Sequence, residues 1–428
     1  MSKLWRIAYN GIVVPAAGAA LPLARRARPA IERAASGREG LFERWEAALE
    51  PLRDRSPRIW LHAASAGETL QARPLAEEIR RARPGAALLY TFFSPSARRW
   101  ASDLTVVDVA DHLPFDFARP MGRFLELTAP DVLILVGGEM WPNLVWSATD
   151  RGVPVAQACA RLVGADRMGW AVRGLTRELY RRLDSVAAVG EEDAVLLRRL
   201  GVPEDRIRVA GDTRADVTLE RARTAGAEGP PPALPGGRRQ VIVAGSTWPS
   251  DEEVLLPAVA GLASRRPGLV ALVAPHDPTE AAVRGLEARA HALGLGTARW
   301  SAPQGQASTV TIVDRVGILY RLYAMADLAF VGGGFGGAVH NTMEPAAMGV
   351  PVAIGPRHGD PHEVAALADG GGLKVIGSAA DLEGWWETLL EGDRARRSGE
   401  TVRLALHGLA GATGRILRFF ADRGHPVA

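Results

Sequence analysis

The stretch "WLHAASAGET", Trp60 to Thr69, is where the sequence first predicts how the chain folds. The apolar segment Ile59–His62 is typical of a buried strand, and the small residues after it lead into the helical pattern Leu70–Ala82. A strand, a tight turn and a helix form the repeating unit of parallel α/β sheets. The stretch therefore predicts an α/β fold and places one carboxylate, Glu68, at the carboxyl end of a strand.

Glu68 has two interpretations. Ser65 and Glu68 have the spacing of a capping box, in which each side chain satisfies a backbone N–H at the start of a helix. Open α/β sheets, however, bind their ligands at the carboxyl ends of strands, which is where Glu68 lies. The choice between a capping residue and a catalytic acid therefore depends on the rest of the chain.

Apolar segments alternate with amphipathic ones from Arg58 onward, which predicts further strands and helices. The next strands are predicted at Ala87–Phe92, Thr105–Val109, Val132–Val136, Val153–Gln157 and Ser185–Val189. The Gly- and Pro-rich stretch Ala225–Gly237 is typical of a linker. A second set of strands follows at Gln240–Ala244, Val270–Val273, Val310–Val313, Leu328–Val331 and Pro351–Ile354. We therefore expect two Rossmann-like domains facing a cleft, residues 51–225 and 238–428, the second ending in helices.

Residues 1–50 are predicted to form a helical segment that associates with a membrane. The stretch Leu4–Leu23 is largely apolar, but Arg6, Asn10, Pro15 and Pro22 argue against a helix that spans the bilayer. Arginines that would attract anionic headgroups and keep this end cytoplasmic follow at Arg25, Arg26, Arg28, Arg33 and Arg38. A membrane-surface anchor is the favoured interpretation. A helix that only packs on the protein is the alternative, and a secretory signal is disfavoured because no convincing cleavage site follows.

Composition excludes several classes of protein. Hydrophobic residues make up 47% and charged residues 23% of the 428 residues, which is ordinary for a folded protein with a large core. The formal net charge is only +3 and no aromatic-interleaved basic stripe is present, so nucleic acid is not an expected partner. Cys159 is the only cysteine, which excludes an internal disulfide and fits a reducing cytoplasm.

The stretch "LAFVGGGFGGAVHNTMEPAAMG", Leu328 to Gly349, predicts an anion site. It has the pattern of a strand, a glycine-rich loop and a helix that Asn341 opens and Gly349 ends. The loop contains Gly333, Gly334 and Gly336. Glycines let a ligand approach the backbone, and a helix N-terminus offers N–H groups to a phosphate. The spacing matches neither a dinucleotide fingerprint nor a P-loop. Glu344 could equally be a capping partner of Asn341.

Two more strand ends carry polar side chains. In "VIVAGSTWPSDEE", Val241 to Glu253, a strand ends with Gly245, Ser246 and Thr247. We expect Ser250 to cap the following helix with Glu253, and the hydroxyls either reach a phosphate or sugar or only satisfy the turn. In "LILVGGEMWPNLV", Leu133 to Val145, a strand leads to Glu139 and to Trp141, which core packing alone could also explain. Polar strand ends in both predicted domains would allow one domain to bind a nucleotide-activated donor and the other to bind the acceptor. This is the arrangement of a two-domain glycosyltransferase.

The stretch "PRHGDPHE", Pro356 to Glu363, contains several side chains that could bind a metal ion. Its possible ligands are His358, Asp360, His362 and Glu363. Gly359 and Pro361 prevent the helical i, i+4 face that a zinc site would use. We therefore expect a polar loop near a nucleotide and no metal.

The motifs together resemble the 3-deoxy-D-manno-octulosonic acid (Kdo) transferases that build the inner core of bacterial lipopolysaccharide. The best-matching ones are "HAASAGE" (His62–Glu68), "EMWPN" (Glu139–Asn143), "AGSTWPSDEE" (Ala244–Glu253) and "HNTMEPAAMGVPV" (His340–Val352). The resemblance extends to about Ile376 and implies a glycosyltransferase-B type enzyme on the cytoplasmic face of the inner membrane. It would transfer Kdo from CMP-Kdo to a lipid A precursor, with inversion and without a metal or other cofactor.

The resemblance also implies roles for individual residues. Glu68 would be the general base, and Glu344 would hold the ribose. The remaining donor-binding positions are Gly245, Ser246, Thr247, His276, Gly333, Gly334, Gly336, His340 and Asn341. The acceptor-binding positions are Ser65, Gly67, Glu139, Trp141 and Arg161.

This chain departs from the family pattern at several motif positions. The usual E-T-E-L-W-P-N begins here with Gly137, Gly138 and Glu139, and Asp212 and Arg214 replace an asparagine and a lysine. These changes leave the acceptor and the number of added sugars open. A sugar-nucleotide epimerase of the same fold and a non-catalytic envelope scaffold are the alternative functions.

Overall fold

The computed structural model describes residues 2–27, 29–162, 168–228, 240–302, 308–359, 361–369 and 371–428. The chain divides into two compact units. The first unit is Met1–Val217 together with Ala410–Ala428, and the second unit is Thr218–Leu409. Arg28 of the basic cluster, Asp360 of the metal candidate and residues 229–237 of the predicted linker lie outside the described residues.

A parallel sheet of seven described strands forms the centre of the first unit. The strands are β1 Arg58–His62, β2 Ala87–Phe92, β3 Val109–His112, β4 Val132–Val136, β5 Val155–Ala160, β6 Ser185–Ala188 and β7 Ile207–Val209. Their spatial order is β3-β2-β1-β4-β5-β6-β7. Alternate side chains of β1 enter two separate apolar clusters, Trp60 one and Ile59 and Leu61 the other. The sheet is therefore buried on both faces, which is typical of parallel sheets.

One predicted strand of this sheet is misplaced. The prediction was Thr105–Val109, but β3 begins at Val109 and ends at His112. Asp108, just before it, accepts hydrogen bonds from the backbone N–H of Leu88 at 2.8 Å and from Arg80 at 2.6 Å. The apolar residues before Asp108 pack as part of a turn, so their hydrophobicity does not indicate a strand.

Helices connect the strands of the first unit. They are α1 Ser2–Ala8, α2 Val14–Ala27, α3 Pro29–Ser36, α4 Leu41–Leu49, α5 Ala66–Ala82, α6 Arg98–Ser102, α7 Ala118–Thr128, α8 Pro142–Asp150, α9 Trp170–Tyr180, α10 Glu191–Arg199 and α11 Arg214–Glu228. Because α11 ends at Glu228, the first four residues of the predicted linker are helical. The last helix of this half leads into the second unit.

The N-terminal segment forms hydrogen bonds with the rest of the first unit. The side-chain amides of Asn10 and Asn143 exchange two hydrogen bonds of 3.0 Å each. The Tyr9 hydroxyl donates to the carboxylate of Asp116 at 3.0 Å, and its ring meets the edge of Trp146. None of the described helices combines the length and the apolar character needed to cross a bilayer.

The second unit contains another parallel sheet of seven described strands. Its strands are β8 Val241–Thr247, β9 Val270–Pro275, β10 Thr297–Arg299, β11 Val310–Ile312, β12 Leu328–Val331, β13 Val352–Ile354 and β14 Leu373–Val375. Their order is β10-β11-β9-β8-β12-β13-β14. The helices are α12 Pro249–Arg265, α13 Glu280–Ala292, α14 Leu319–Tyr323, α15 Met343–Ala347, α16 Pro361–Ala368, α17 Ala379–Leu389 and α18 Arg394–Leu409. The final helix, α19 Ala412–Asp422, belongs to the first unit, where Ile416 and Phe420 are fully buried.

Each sheet has one topological switch point. In the first sheet the strand order reverses between β1 and β4, and in the second it reverses between β8 and β12. Open α/β sheets bind ligands outside the carboxyl ends of the strands at such points. The first switch point has Glu68, in the first turn of α5, and the loop residues Gly137–Glu139. The second has Ser246, near the end of β8, and the loop residues Gly332–Gly336. The strand order thus brings most of the predicted site residues to the two expected positions.

Candidate functional site

Glu68 lies in the first turn of α5 and caps that helix. Ser65 is the N-cap residue, and both its backbone N–H and its hydroxyl donate to Glu68 Oε2 at 3.0 Å. The hydrogen bond from the Ser65 backbone N–H to Glu68 is one of the two bonds of the predicted capping box. In the usual box the serine hydroxyl accepts from a helix N–H, whereas here the Ser65 hydroxyl donates to Glu68. Gly67, the neighbouring acceptor candidate, is exposed at the start of the helix.

The loop after β4 presses against the other side of the Glu68 carboxyl group. Gly137 has φ +89, and a Cβ placed there would lie 2.7 Å from Glu68 Cγ and 2.8 Å from Cδ. The backbone N–H of Gly138 also forms a hydrogen bond that lowers the pKa of Glu68. Of the two glycines, Gly137 therefore leaves room for this carboxylate, whereas Gly138 contributes its backbone N–H, and a Cβ there would lie 2.9 Å from the carbonyl oxygen of Arg161.

Two acids share this switch point, and burial changes the pKa of both. Burial raises the pKa of Glu68 above its ordinary value, while hydrogen bonds from Ser65, Ala64 and Gly138 lower it. Burial, followed by the negative charge of Glu68, raises the pKa of Glu139 to about 6. The two carboxyl groups interact, so their protonation is coupled. A raised pKa near neutrality is what a general base or acid requires.

Trp141 lies beside two aromatic side chains of the same edge. Its ring is 4.3 Å from that of Phe93 and meets His62 edge-on at 6.3 Å. Burial lowers the pKa of His62 to about 3, so this imidazole is neutral at pH 7. Trp141 Nε1 and His62 Nε2 have no hydrogen-bond partner among the described residues. Buried unpartnered polar atoms call for an explanation, and a polar ligand at this edge would supply one.

Arg161 lies beside the buried acid Asp212. Its guanidinium lies 3.5 Å from Asp212, which also accepts from Gln71 at 2.9 Å and from Arg214 at 2.9 Å. The Arg161 carbonyl oxygen faces Gly138. The two residues that replace the usual asparagine and lysine, Asp212 and Arg214, thus form an ion pair with each other.

In the second unit a buried acid fixes the glycine-rich loop. Asp251 is fully buried and accepts from the backbone N–H groups of Gly333 at 2.8 Å and Phe335 at 3.1 Å. It also accepts from the N–H of Trp248, the N-cap residue of α12, at 2.9 Å. The predicted cap at Ser250 is wrong because Pro249 takes the first helical position, which moves the capping acid to Asp251. An acid three residues after the tryptophan was the signal for it.

Close packing within the loop explains its glycines. Gly333 has φ +96, and a Cβ there would lie 2.9 Å from the carbonyl carbon of Ala338. A Cβ at Gly334 would lie 2.6 Å from Gly355, and one at Gly336 would lie 2.6 Å from Ser250 Oγ. Larger residues would therefore force the loop apart.

A stack of three rings stands at this switch point. The ring of His276 lies 4.7 Å from Trp248 and 4.4 Å from His340, with interplanar angles of 24° and 15°. Trp248 Nε1 donates to His340 Nε2 at 3.1 Å. Burial and the neighbouring His276 lower the pKa of His340. Sequence reasoning placed both histidines at the site and missed Trp248, although it stands in a quoted motif.

The β8 end contributes backbone more than side chains. Ser246 has φ +54, and a Cβ on Gly332 would lie 2.7 Å from Thr247 Cα, so the two loops touch. The Thr247 hydroxyl donates to buried Glu252 at 3.1 Å, which fits the turn-satisfying alternative for this side chain. Gly245 faces α14, where a Cβ would lie 2.7 Å from Leu319 Cδ2.

Asn341 precedes the short helix α15, and Glu344 lies in the first turn of that helix. Asn341 Oδ1 accepts from the N–H of Met343 at 3.1 Å, but α15 has only five residues, with Thr342 as its N-cap. Such a short helix has a small dipole, so the predicted helix-end contribution to anion binding is weak. Burial raises the pKa of Glu344, while the charge of Arg221 and a hydrogen bond with Asn341 lower it.

Glu363, one of the side chains in the predicted metal-binding stretch, is hydrogen-bonded within the protein. The hydroxyl of Thr342 donates to Glu363, which is buried. No group of three His, Cys, Asp or Glu side chains that could hold a metal ion occurs in the part of the chain that the structure describes.

Solved structures with the same fold include enzymes of two kinds. One is a UDP-GlcNAc 2-epimerase from Neisseria meningitidis, with a TM-score of 0.63 and 14% identity, covering 85% of this chain and 100% of that chain. Another is a glycosyltransferase from Rickettsia africae, with a TM-score of 0.56 and 11% identity, covering 87% of this chain and 99% of that chain. At these identities the likeness is one of fold alone, and it supports two Rossmann-like halves.

Sequence relatives decide between these kinds of enzyme. The profile of the family described as 3-deoxy-D-manno-octulosonic-acid transferase (kdotransferase) matches residues 39–217. The 3-deoxy-D-manno-octulosonic acid transferase of Bordetella pertussis is 32% identical, over 85% of this chain and 87% of its own length. The one from Haemophilus influenzae is 27% identical, over 84% and 85%. The chain therefore belongs to the 3-deoxy-D-manno-octulosonic acid transferase family and is a glycosyltransferase.

Proposed function

We propose that this enzyme transfers Kdo from CMP-Kdo to a lipid A precursor, with inversion and with Glu68 as the general base. The observation that carries the proposal is the position of Glu68. Its carboxyl group lies at the switch point of the first sheet, is largely buried, and has a pKa raised by that burial. A carboxylate of this kind is suited to take a proton from a hydroxyl near neutral pH.

The second unit would hold the donor. The stacked rings of Trp248, His276 and His340 offer an aromatic surface to the cytosine. In the Gly333–Gly336 loop, the backbone N–H groups of Gly334 and Gly336, which do not donate to Asp251, would bind the phosphate. Glu344 would bind the ribose hydroxyls. The CMP phosphate then leaves against fixed dipoles, so the proposal includes neither a metal nor another cofactor.

The transfer step balances with these groups alone. The acceptor hydroxyl gives its proton to Glu68 while its oxygen forms a bond to the anomeric carbon of Kdo. The bond from that carbon to the phosphate oxygen breaks, and the electron pair leaves with CMP. Attack from the face opposite the leaving group inverts the configuration. The proposal requires the two switch points to face one cleft when both substrates are bound.

We further propose that the enzyme works at the cytoplasmic face of the inner membrane. Leu4, Ile7 and Ile12 of the N-terminal segment are 68%, 67% and 69% exposed. Trp170 of α9, whose ring lies 6.1 Å from that of Trp5, is 83% exposed. Apolar side chains that point away from the protein are suited to enter the headgroup region of a bilayer.

The test is transfer from CMP-Kdo to a lipid A precursor, measured by the mass of the product. Glu68→Gln keeps an oxygen that can accept from Ser65 but cannot take a proton, so we expect kcat to fall about 10²–10⁴-fold with little change in stability. Glu77→Gln, on the same helix, is the matched control. Near-normal transfer by folded Glu68→Gln would reject the base assignment, and loss of folding would favour the interpretation of Glu68 as a helix cap. Absence of transfer by the unmodified enzyme would favour the scaffold alternative.

A further inference from the structure

An apolar cavity lies between the N-terminal segment and the sheet of the first unit. Its volume is about 440 Å³, inside the range of roughly 300–1,000 Å³ that is usual for ligand pockets. Its lining is almost wholly hydrophobic and includes Val14, Ala17, Phe93, Phe115, Phe117 and Trp141. A cavity of this shape and chemistry fits an aliphatic chain.

A cationic cavity adjoins it. This second cavity has a volume of about 480 Å³ and shares Ser94 and Pro95 with the apolar one. Arg33 and Arg98 line it, and both are exposed to solvent. Arginine guanidinium groups are the preferred partners of phosphate. The two cavities together therefore match a ligand with a phosphate next to an aliphatic chain.

A buried histidine points to a ligand independently. His112 lines the cationic cavity, is only 2% exposed, and its Nδ1 has no hydrogen-bond partner among the residues that the structure describes. A buried polar atom without a partner is unfavourable unless something else satisfies it. A phosphate oxygen or a sugar hydroxyl in this cavity would do so.

Arg38 holds two of the aromatic rings that line the apolar cavity. Arg38 lies 4.4 Å from the ring of Phe93 and 4.5 Å from the ring of Phe115. It also donates to the carbonyl oxygens of Leu113 at 2.7 Å and Phe93 at 3.1 Å. These contacts hold the rings that line the apolar cavity, so little reorganisation is needed to admit a chain.

We infer that the two cavities bind the acceptor lipid, a fatty acyl chain in the apolar one and a phosphate in the cationic one. The inference rests on the proposed function and adds to it the part of the acceptor that is recognised. Trp141 links the cavity to the reaction, because it lines the cavity and stands in the loop that carries Glu139. Val14 and Ala17 lie on the same segment as exposed Ile12, so a chain can enter from the membrane side.

Photo-labelling tests the apolar cavity directly. The probe is an acylated, phosphorylated glucosamine disaccharide with a diazirine on one acyl chain. We expect it to label the lining residues, Phe117 among them. Labelling should fall at least fivefold in Ala17→Trp, which places a large side chain at the cavity lining, and stay unchanged in Ala16→Trp, since Ala16 is exposed like Ala17 but does not line the cavity. Equal labelling in Ala17→Trp, or loss of labelling when unlabelled phosphatidylglycerol is added, would overturn the inference.

Steady-state kinetics separate this inference from the proposed function. Ala17→Trp should raise the KM for the acylated acceptor about tenfold and leave the KM for the deacylated disaccharide unchanged, because roughly fourfold in affinity is lost for each methylene left outside. An equal change for both acceptors would overturn the inference. Kdo transfer to neither acceptor by the unmodified enzyme would instead refute the proposed function.

The cationic cavity has its own test. Arg98→Gln should raise the KM for the phosphorylated acceptor about fivefold to tenfold and leave the KM for the same lipid without phosphate unchanged. Arg53→Gln, an exposed arginine that pairs with Glu50, is the matched control for the lost charge. An Arg98→Gln variant that behaves like Arg53→Gln would overturn the phosphate assignment.

Discussion

Gly137→Ala should inactivate the enzyme by displacing Glu68. The added Cβ would lie 2.7 Å from Glu68 Cγ, whereas an ordinary contact begins at 3.4 Å. The carboxyl group must therefore move by about 0.7 Å or more, and a displacement near 1 Å costs on the order of 10²-fold in rate. We expect kcat to fall about 30- to 100-fold. Initial rates with saturating CMP-Kdo and acceptor measure this.

Gly152→Ala is the matched control. Gly152 also has a left-handed backbone, with φ +75, but nothing lies within 4 Å of a Cβ placed there. Both variants carry the left-handed penalty of about 1–2 kcal/mol, which lowers Tm by roughly 2–4 °C for each kcal/mol in a chain of this size. Only Gly137→Ala should lose activity. If kcat of the two variants agrees within about twofold, the placement of Glu68 against Gly137 does not matter for catalysis.

Three further substitutions of acidic residues test the electrostatic interactions within the two units. Glu68→Gln should lower the pKa of Glu139 from about 6, because it removes the negative charge that, after burial, raises this pKa; an unchanged Glu139 pKa in an NMR titration between about pH 4 and pH 8 would show that the acids do not interact. Asp251→Asn should raise the KM for CMP-Kdo about tenfold, because the loop loses a charged acceptor, whereas Glu253→Gln should not; a folded Asp251→Asn with normal KM would contradict this. Burial raises the pKa of Asp116 to about 6, so its protonated form stabilises the fold and the free energy of unfolding decreases as pH rises from about 4 to 6. Urea unfolding of Asp116→Asn should lack that part of the decrease, and identical pH slopes would refute it.

The sequence predicted the local structure around Glu68 well, because the signals are local. A buried strand, small residues and a capping pair lie within about ten residues of each other. Both interpretations of Glu68, as a helix cap and as a catalytic acid, depend on its position at the end of that strand. That Glu68 caps the helix is confirmed. The catalytic role remains a prediction, since a capping carboxylate and a general base leave the same pattern in sequence.

The contact between Glu68 and Gly137 could not be predicted because it is set by strand order. These residues are far apart in sequence and meet because β1 pairs with β4. Two glycines in a motif that usually carries an acid and a hydroxyl looked like losses. In the structure Gly137 leaves space for the carboxylate and Gly138 donates its backbone N–H to it.

The errors have local physical causes. Ser250 was expected as a cap because serine favours that position, but the helix begins at Pro249, so Trp248 is the N-cap, two residues before the predicted one. The spacing after Trp248 could have indicated Asp251 as a helix cap, but not its hydrogen bonds to the glycine-rich loop, because that loop is distant in sequence. The cavity beside Trp141 was out of reach as well, since it forms only where the N-terminal segment meets the sheet.

The position of the acceptor hydroxyl relative to Glu68 tests the central claim most directly. A crystal structure with CMP and the acceptor lipid bound would measure it. We expect a Glu68 carboxylate oxygen within about 2.6–3.2 Å of the hydroxyl that receives Kdo, or one water away from it. A bound acceptor whose hydroxyl lies beyond the reach of a single water would contradict the account.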